Sequence, residues 1–161
     1  MAPPRILILG VGNVLMGDEG AGVQAIRVLE SRPWPPHVTL LDGGTGGFHL
    51  LGCLDDCDAL ILIDAALDGR PEGNVSVIEP RYARDFPSSL SAHDIGLRDL
   101  VESAALLGRL PRIRLVTVSI AEPTSMQVGL SPRIEASLSH VAAVVEGLAA
   151  SLSEQDDGCT W

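Results

Sequence analysis

The chain has 161 residues, 46 % hydrophobic and only 3 % aromatic, enough for one domain whose core must be built from Leu, Val, Ile and Ala. Its formal net charge of −10 argues against nucleic acid, whose affinity rests on neutralised phosphates, and against an anionic membrane surface. Three cysteines do not make a disulfide framework in a chain this large, no apolar stretch reaches the length of a membrane span, and the N-terminus lacks a signal-peptide layout; a reduced, cytoplasmic protein is expected.

Ile6 to Leu9 is an apolar run at both parities, the mark of a strand buried on both faces. Gly10 and Gly12 then allow a tight turn or a close approach of backbone. Gly17-Asp-Glu-Gly20 follows, and a helix is expected from about Glu19 to Ser31, with Val23, Ile26 and Leu29 on one side. Arg32 to Pro36 breaks the pattern. Val38 to Leu41 is a second strand, ending in the loop Asp42-Gly-Gly-Thr-Gly-Gly47, which opens a short helix from Phe48 to about Leu54. Ala59 to Ile63 is the third and most hydrophobic strand, ending in Asp64. The stretch from Leu67 to Gly73 is too short for a crossover helix, so a hairpin into an antiparallel strand, Val75 to Ile78, is expected. An irregular segment leads to Ser91-Ala-His-Asp-Ile-Gly96 and a helix to about Leu107. The last strand is Ile113 to Ile120, and Ser131-Pro132 reads as an N-cap and first helical residue opening a final helix to about Leu152.

This alternation predicts an α/β domain, a three-layer α/β/α sandwich around a mostly parallel, roughly five-stranded sheet with one antiparallel strand. Residues 1–153 are expected to form one domain and 154–161 an acidic, disordered tail. Right-handed crossovers would bring the carboxyl ends of the first three strands, and with them Glu19, Asp42 and Asp64, to one edge. Open α/β proteins keep their sites at that edge. Asp64 follows five apolar residues, where a carboxylate is costly unless paired, capped or bound to a metal. Taken singly, Asp64 can be a helix cap or turn residue, Glu19 a charge favouring a helix start, and His93 a residue near a helix cap. Taken together, a Glu, an Asp and a His at one sheet edge make an oxygen and imidazole cluster suited to a borderline divalent ion.

The ordered set Gly10-Val-Gly-Asn13, Gly17-Asp-Glu19, Asp42-Gly-Gly-Thr45, Ile63-Asp-Ala65 and Ser91-Ala-His-Asp-Ile-Gly-Leu97 resembles the hydrogenase maturation endopeptidases, from about Ile6 to the final helix. The resemblance implies metal contacts at Glu19, Asp64 and His93. It also implies removal of a C-terminal extension from the large-subunit precursor of a nickel–iron hydrogenase, after nickel has been inserted. The nickel would arrive with the substrate, and zinc or cadmium would substitute in a crystal. Glu19 and Asp64 are then the candidate catalytic residues, with the water-activating base open among Asp18, Glu19 and Asp64. The block Asp42, Gly43, Gly44 and Thr45 reads as a substrate-binding loop or as a plain βα turn.

Two other classes compete. A nucleotide-binding module would use the first glycine turn, but the third glycine of Gly-x-Gly-x-x-Gly is missing and two carboxylates there would repel a pyrophosphate. A non-catalytic chaperone would dock a hydrogenase subunit without cutting it. A serine hydrolase lacks its Gly-x-Ser-x-Gly elbow. Cys53 and Cys57 are read as packing residues, Cys159 as part of the tail, and His37, His49 and His140 as surface or packing residues.

Overall fold

The computed structural model describes residues 2–45, 51–90, 97–108, 110–122 and 128–154. Strands β1 (Ile6–Val11), β2 (Val38–Gly44), β3 (Ala59–Ala66), β4 (Val75–Ile78) and β5 (Arg112–Ser119) form one sheet in the order β2-β1-β3-β5-β4. The β1–β2, β1–β3 and β3–β5 pairs are parallel, and β4 runs antiparallel to β5. Helices α1 (Ala21–Glu30), α2 (Leu51–Asp55), α3 (Leu97–Leu106) and α4 (Pro132–Glu154) complete three layers.

Strand alternation decides the layers. Ile6, Ile8, Ile61, Ile63, Val116 and Val118 pack with α1 and α4, in one core that holds Ile26, Leu29, Ile134, Val141 and Val145. Leu7, Leu9, Leu60, Leu62 and Leu115 face the other way, onto Leu54, Leu100, Val101 and Ala104. With almost no aromatics to fill it, the core depends on branched aliphatics from both faces of β1 and β3, every residue of which is buried.

The structure corrects several expectations. Strand β2 continues through Asp42 and Gly44, so the start of the glycine-rich loop is still sheet. Strand β3 includes Asp64, which is therefore inside a strand and not in the turn after it. The first helix is preceded by a separate 3-10 turn, Gly17–Gly20. Strand β4 is antiparallel as expected, but it pairs with β5 and not with β3, so the connection is no hairpin. The long parallel pairing of β5 with the central β3 takes the position that a hairpin would have used. Finally, α4 is long and apolar enough, by length and composition, to cross a membrane, against the expectation that no apolar stretch reaches that length. In this fold one stripe of it, from Ile134 to Leu152, is buried against α1 and the sheet. The tail residues 155–161 lie outside the described residues.

Candidate active site

In this strand order the chain leaves β1 toward β2 and later returns to β3 on β1's other side. The carboxyl ends of β1 and β3 therefore flank the topological switch point, the crevice where open α/β sheets bind their ligands. Both carboxylates picked from the sequence belong to elements at this crevice. Asp64 directly follows the apolar run of β3, two residues before the strand ends, and is fully buried; its Oδ1 accepts the backbone N–H of Ala65 at 2.8 Å. Parity puts it on the face of Leu60, Leu62 and Ala66, the α3 side. Glu19 sits in the 3-10 turn that follows β1, and that turn packs against β3.

Glycines make this packing possible. A Cβ on Gly22, at the start of α1, would lie 2.3 Å from the carbonyl oxygen of Ile63 and 2.4 Å from that of Val11. A Cβ on Gly12, whose φ is +141°, would lie 2.1 Å from the carbonyl oxygen of Glu19 itself. The close approach that Gly12 allows is thus to the chain's own turn, and the one that Gly10 allows is to α1, at Gly22 and Ile26. These glycines let the helix start settle onto the ends of β1 and β3 and the Glu19 turn onto the end of β1, while the turn also packs against β3, the strand that carries Asp64.

Asp42 reaches the same edge but not the same side. Its register partner is Gly10, which sets it with Val38 and Leu40 on the α1 face, opposite Asp64. Its Oδ1 accepts the N–H of Gly44 at 2.9 Å, and Gly44, at φ +48°, returns its carbonyl to the N–H of Gly12 at 2.9 Å. Asp42, Gly44 and Thr45 line an open depression of about 220 Å³ with Gly12, Asn13, Val14, Leu15, Val23 and Arg27. The Asp42 to Thr45 block therefore adjoins the Glu19 turn through the 12–15 segment.

His93 lies outside the described residues, as does the rest of 91–96. The chain before it is anchored at the same sheet edge: Leu90 bridges Ala66, and the N–H of Leu67 donates to the carbonyl of Ser89 at 2.8 Å. Among the described residues no group of three or more His, Cys, Asp or Glu gathers as a metal cluster. The donor chemistry of Glu19 and Asp64, oxygen ligands held in or beside a buried strand end, fits a divalent ion that a third ligand completes.

Sequence reasoning missed two buried polar residues and one contact. Thr117, the register partner of Asp64, and Ser119 share its face and are buried. Ser119 Oγ donates to Asp68 Oδ2 at 3.0 Å, and the N–H of Ser119 donates to the carbonyl of Asn74, tying down the segment after β3. The polar alternation Thr117-Val-Ser119 inside an apolar strand was the available signal. The missed contact joins Asp18 to Ser131, residues 113 apart.

The thiols behave as packing residues. Cys57 is buried and its Sγ lies 3.7 Å from the carbonyl of Leu54; burial pushes its thiol up to about 11. His37 meets Ser153 Oγ at 2.9 Å, far from the carboxyl edge, and His140 is exposed. His49 and Cys159 are outside the described residues.

Comparison with known proteins agrees with this architecture. The family profile described as HycI, hydrogenase maturation protease, matches residues 23–148. The chain belongs to the hydrogenase maturation proteases. It is 36 % identical over 135 residues to the hydrogenase 2 maturation protease of Escherichia coli K12, covering 82 % of each chain. It is 34 % identical over 163 residues to the hydrogenase expression/formation protein HupD of Rhodobacter capsulatus, covering 98 % of this chain and 78 % of that one. The solved hydrogenase maturating endopeptidase HybD from E. coli superimposes with a TM-score of 0.81 at 36 % identity, over 91 % of this chain and 93 % of that one. As a maturation protease, this chain is a peptide-bond hydrolase.

Proposed function

We propose that this protease removes the C-terminal extension from the large-subunit precursor of a nickel–iron hydrogenase once nickel is in place, and that it recognises the nickel its substrate carries. The observation that supports the reading is the seating of the Gly17–Gly20 turn, which carries Glu19, against β3, the strand that carries Asp64. His93 follows Leu90 by three residues, a reach of at most about 11 Å from a bridge to β3. Two carboxylates and one imidazole suit nickel, with zinc or cadmium as stand-ins.

In this reading Glu19, Asp64 and His93 grip the substrate's nickel and so hold the scissile peptide beside the crevice. Water attacks the scissile carbonyl, one of the carboxylates takes its proton, and the proton passes to the departing amine of the extension. Asp42, Gly43, Gly44 and Thr45 bind the peptide: Asp42, Gly44 and Thr45 line a depression with residues 12–15, and Gly44 leaves room there for a backbone to approach. The reaction takes place in the cytoplasm, in keeping with the free thiols of Cys53 and Cys57.

The test is to incubate the protein with nickel-loaded and nickel-free precursor and follow the size of the large subunit. Shortening of the nickel-loaded form alone is expected. Equal cleavage of both forms would remove nickel recognition from the reading, and binding without cleavage would favour a docking role.

A further inference from the structure

We infer that Asp18 is the positioning residue that fixes Glu19 in the crevice, by clamping the Gly17–Gly20 turn to the cap of α4; this rests on the reading of Glu19 as a site residue. The turn is bracketed by Gly17, at φ +59°, and Gly20, so Asp18 and Glu19 supply its only side chains. Asp18 uses both oxygens on one partner: Ser131 N–H donates to Oδ1 at 2.7 Å, and Ser131 Oγ donates to Oδ2 at 2.9 Å. Two bonds to one residue fix orientation as well as distance.

Ser131 is a firm anchor. Its carbonyl accepts the N–H of Glu135 at 2.9 Å, the first turn of a 23-residue helix whose inner stripe lies in the core. The carboxylate also meets the positive end of that helix, so the contact is favoured twice. Asp18 thereby connects the turn after β1 to an element reached only at the end of the chain. With both oxygens turned to Ser131, it is better placed to hold the turn than to take a proton from water.

The turn is thus held from two sides, by β3 under Gly22 and by α4 through Asp18. Losing the clamp leaves the turn without its tie to α4. Misplacing a reacting group by about 1 Å costs on the order of a hundredfold in rate, so a partial loosening should cost about tenfold or more.

The experiment measures kcat and KM for nickel-loaded precursor with Asp18→Ala, Asp18→Asn, Ser131→Ala and the Asp18→Ala/Ser131→Ala double variant, each checked for folding by circular dichroism. Amide exchange of residues 17–20 is followed in parallel. Asn keeps the acceptor for the Ser131 N–H, and its amide donates to the Ser131 hydroxyl, so it preserves the clamp without the charge. Asp18→Ala should lower kcat by about tenfold or more with KM within about twofold, and should speed exchange in the turn. Asp18→Asn should stay within about threefold of the parent with an unshifted pH profile, Ser131→Ala should fall between, and the double variant should be no slower than Asp18→Ala. Glu19→Gln separates the role of Asp18 from that of Glu19 itself. If Glu19→Gln is inactive and Asp18→Ala runs at the parent rate, the clamp is wrong and the site reading stands. If Asp18→Asn is as slow as Asp18→Ala while Ser131→Ala is unaffected, the charge itself acts and the clamp is again wrong. If Glu19→Gln processes normally, the site reading falls and the role of Asp18 with it.

Discussion

Gly22→Ala tests how closely the site depends on backbone packing. The new Cβ would stand 2.3 Å from the Ile63 carbonyl oxygen and 2.4 Å from that of Val11, and both are main-chain atoms that no rotamer change can move. Ordinary contact begins near 3.4 Å, so the start of α1 must lift from the sheet by about 1 Å. Overpacking of this kind costs about 1–3 kcal/mol, against which the better helix propensity of Ala returns at most about 1 kcal/mol. The same lift carries the Glu19 turn away from β3 and Asp64, and a displacement of about 1 Å is worth on the order of a hundredfold in rate. Urea unfolding should therefore report a loss of about 1–2 kcal/mol, and the precursor assay a much larger fractional loss of activity. Gly147→Ala is the control, because Gly147 lies mid-α4 with nothing within 4 Å of its Cβ position; it should stabilise by about 0.5–1 kcal/mol with activity unchanged. A Gly22→Ala protein as stable and as fast as the parent would refute the packing argument.

Asp64→Asn keeps the side-chain volume and the acceptor for the Ala65 N–H while removing a buried charge; circular dichroism should show the parent fold, and precursor cleavage should be abolished. Asp58 accepts the backbone N–H of Arg5 and then its guanidinium, which hold its carboxyl below the usual carboxylate range. A lowered folded pKa means stability present above the unfolded value and lost as pH falls through the folded one, so Asp58→Asn should be less stable than the parent near neutrality and indistinguishable from it in strong acid, as read by unfolding at a series of pH values. The Cys57 thiol, pushed up to about 11, should alkylate far more slowly at pH 8 than the part-exposed Cys53 in the folded protein, with peptide mapping by mass spectrometry as the readout.

The layers and most elements were legible because hydrophobic period and turn chemistry agreed along the chain. Ile6 to Leu9 and Ala59 to Ile63 could only be strands buried on both faces, and Ser131-Pro132 marked the start of α4 to the residue. What failed depended on non-local pairing. Nothing in Val75 to Ile78 says that β5, formed some 35 residues later, will separate it from β3. Strand β3 overran its apolar run because eight register pairs with β5 carry it through Asp64 to Ala66. The edge shared by Glu19, Asp42 and Asp64 followed from crossover handedness, but the side of the sheet did not: only the register Gly10 to Asp42 shows Asp42 on the α1 face and parity puts Asp64 on the other. The Asp18–Ser131 contact was invisible for the same reason, since a bond across 113 residues leaves no local pattern.

The central claim is that Glu19, Asp64 and His93 form one cleft for a transition ion. Anomalous diffraction from crystals soaked in cadmium tests it most directly. One strong peak is expected at the carboxyl ends of β1 and β3, touched by the two carboxylates and the imidazole, and absent from Asp64→Asn crystals. A cleft without a peak, with the Glu19 and Asp64 carboxylates turned away from each other, would contradict it.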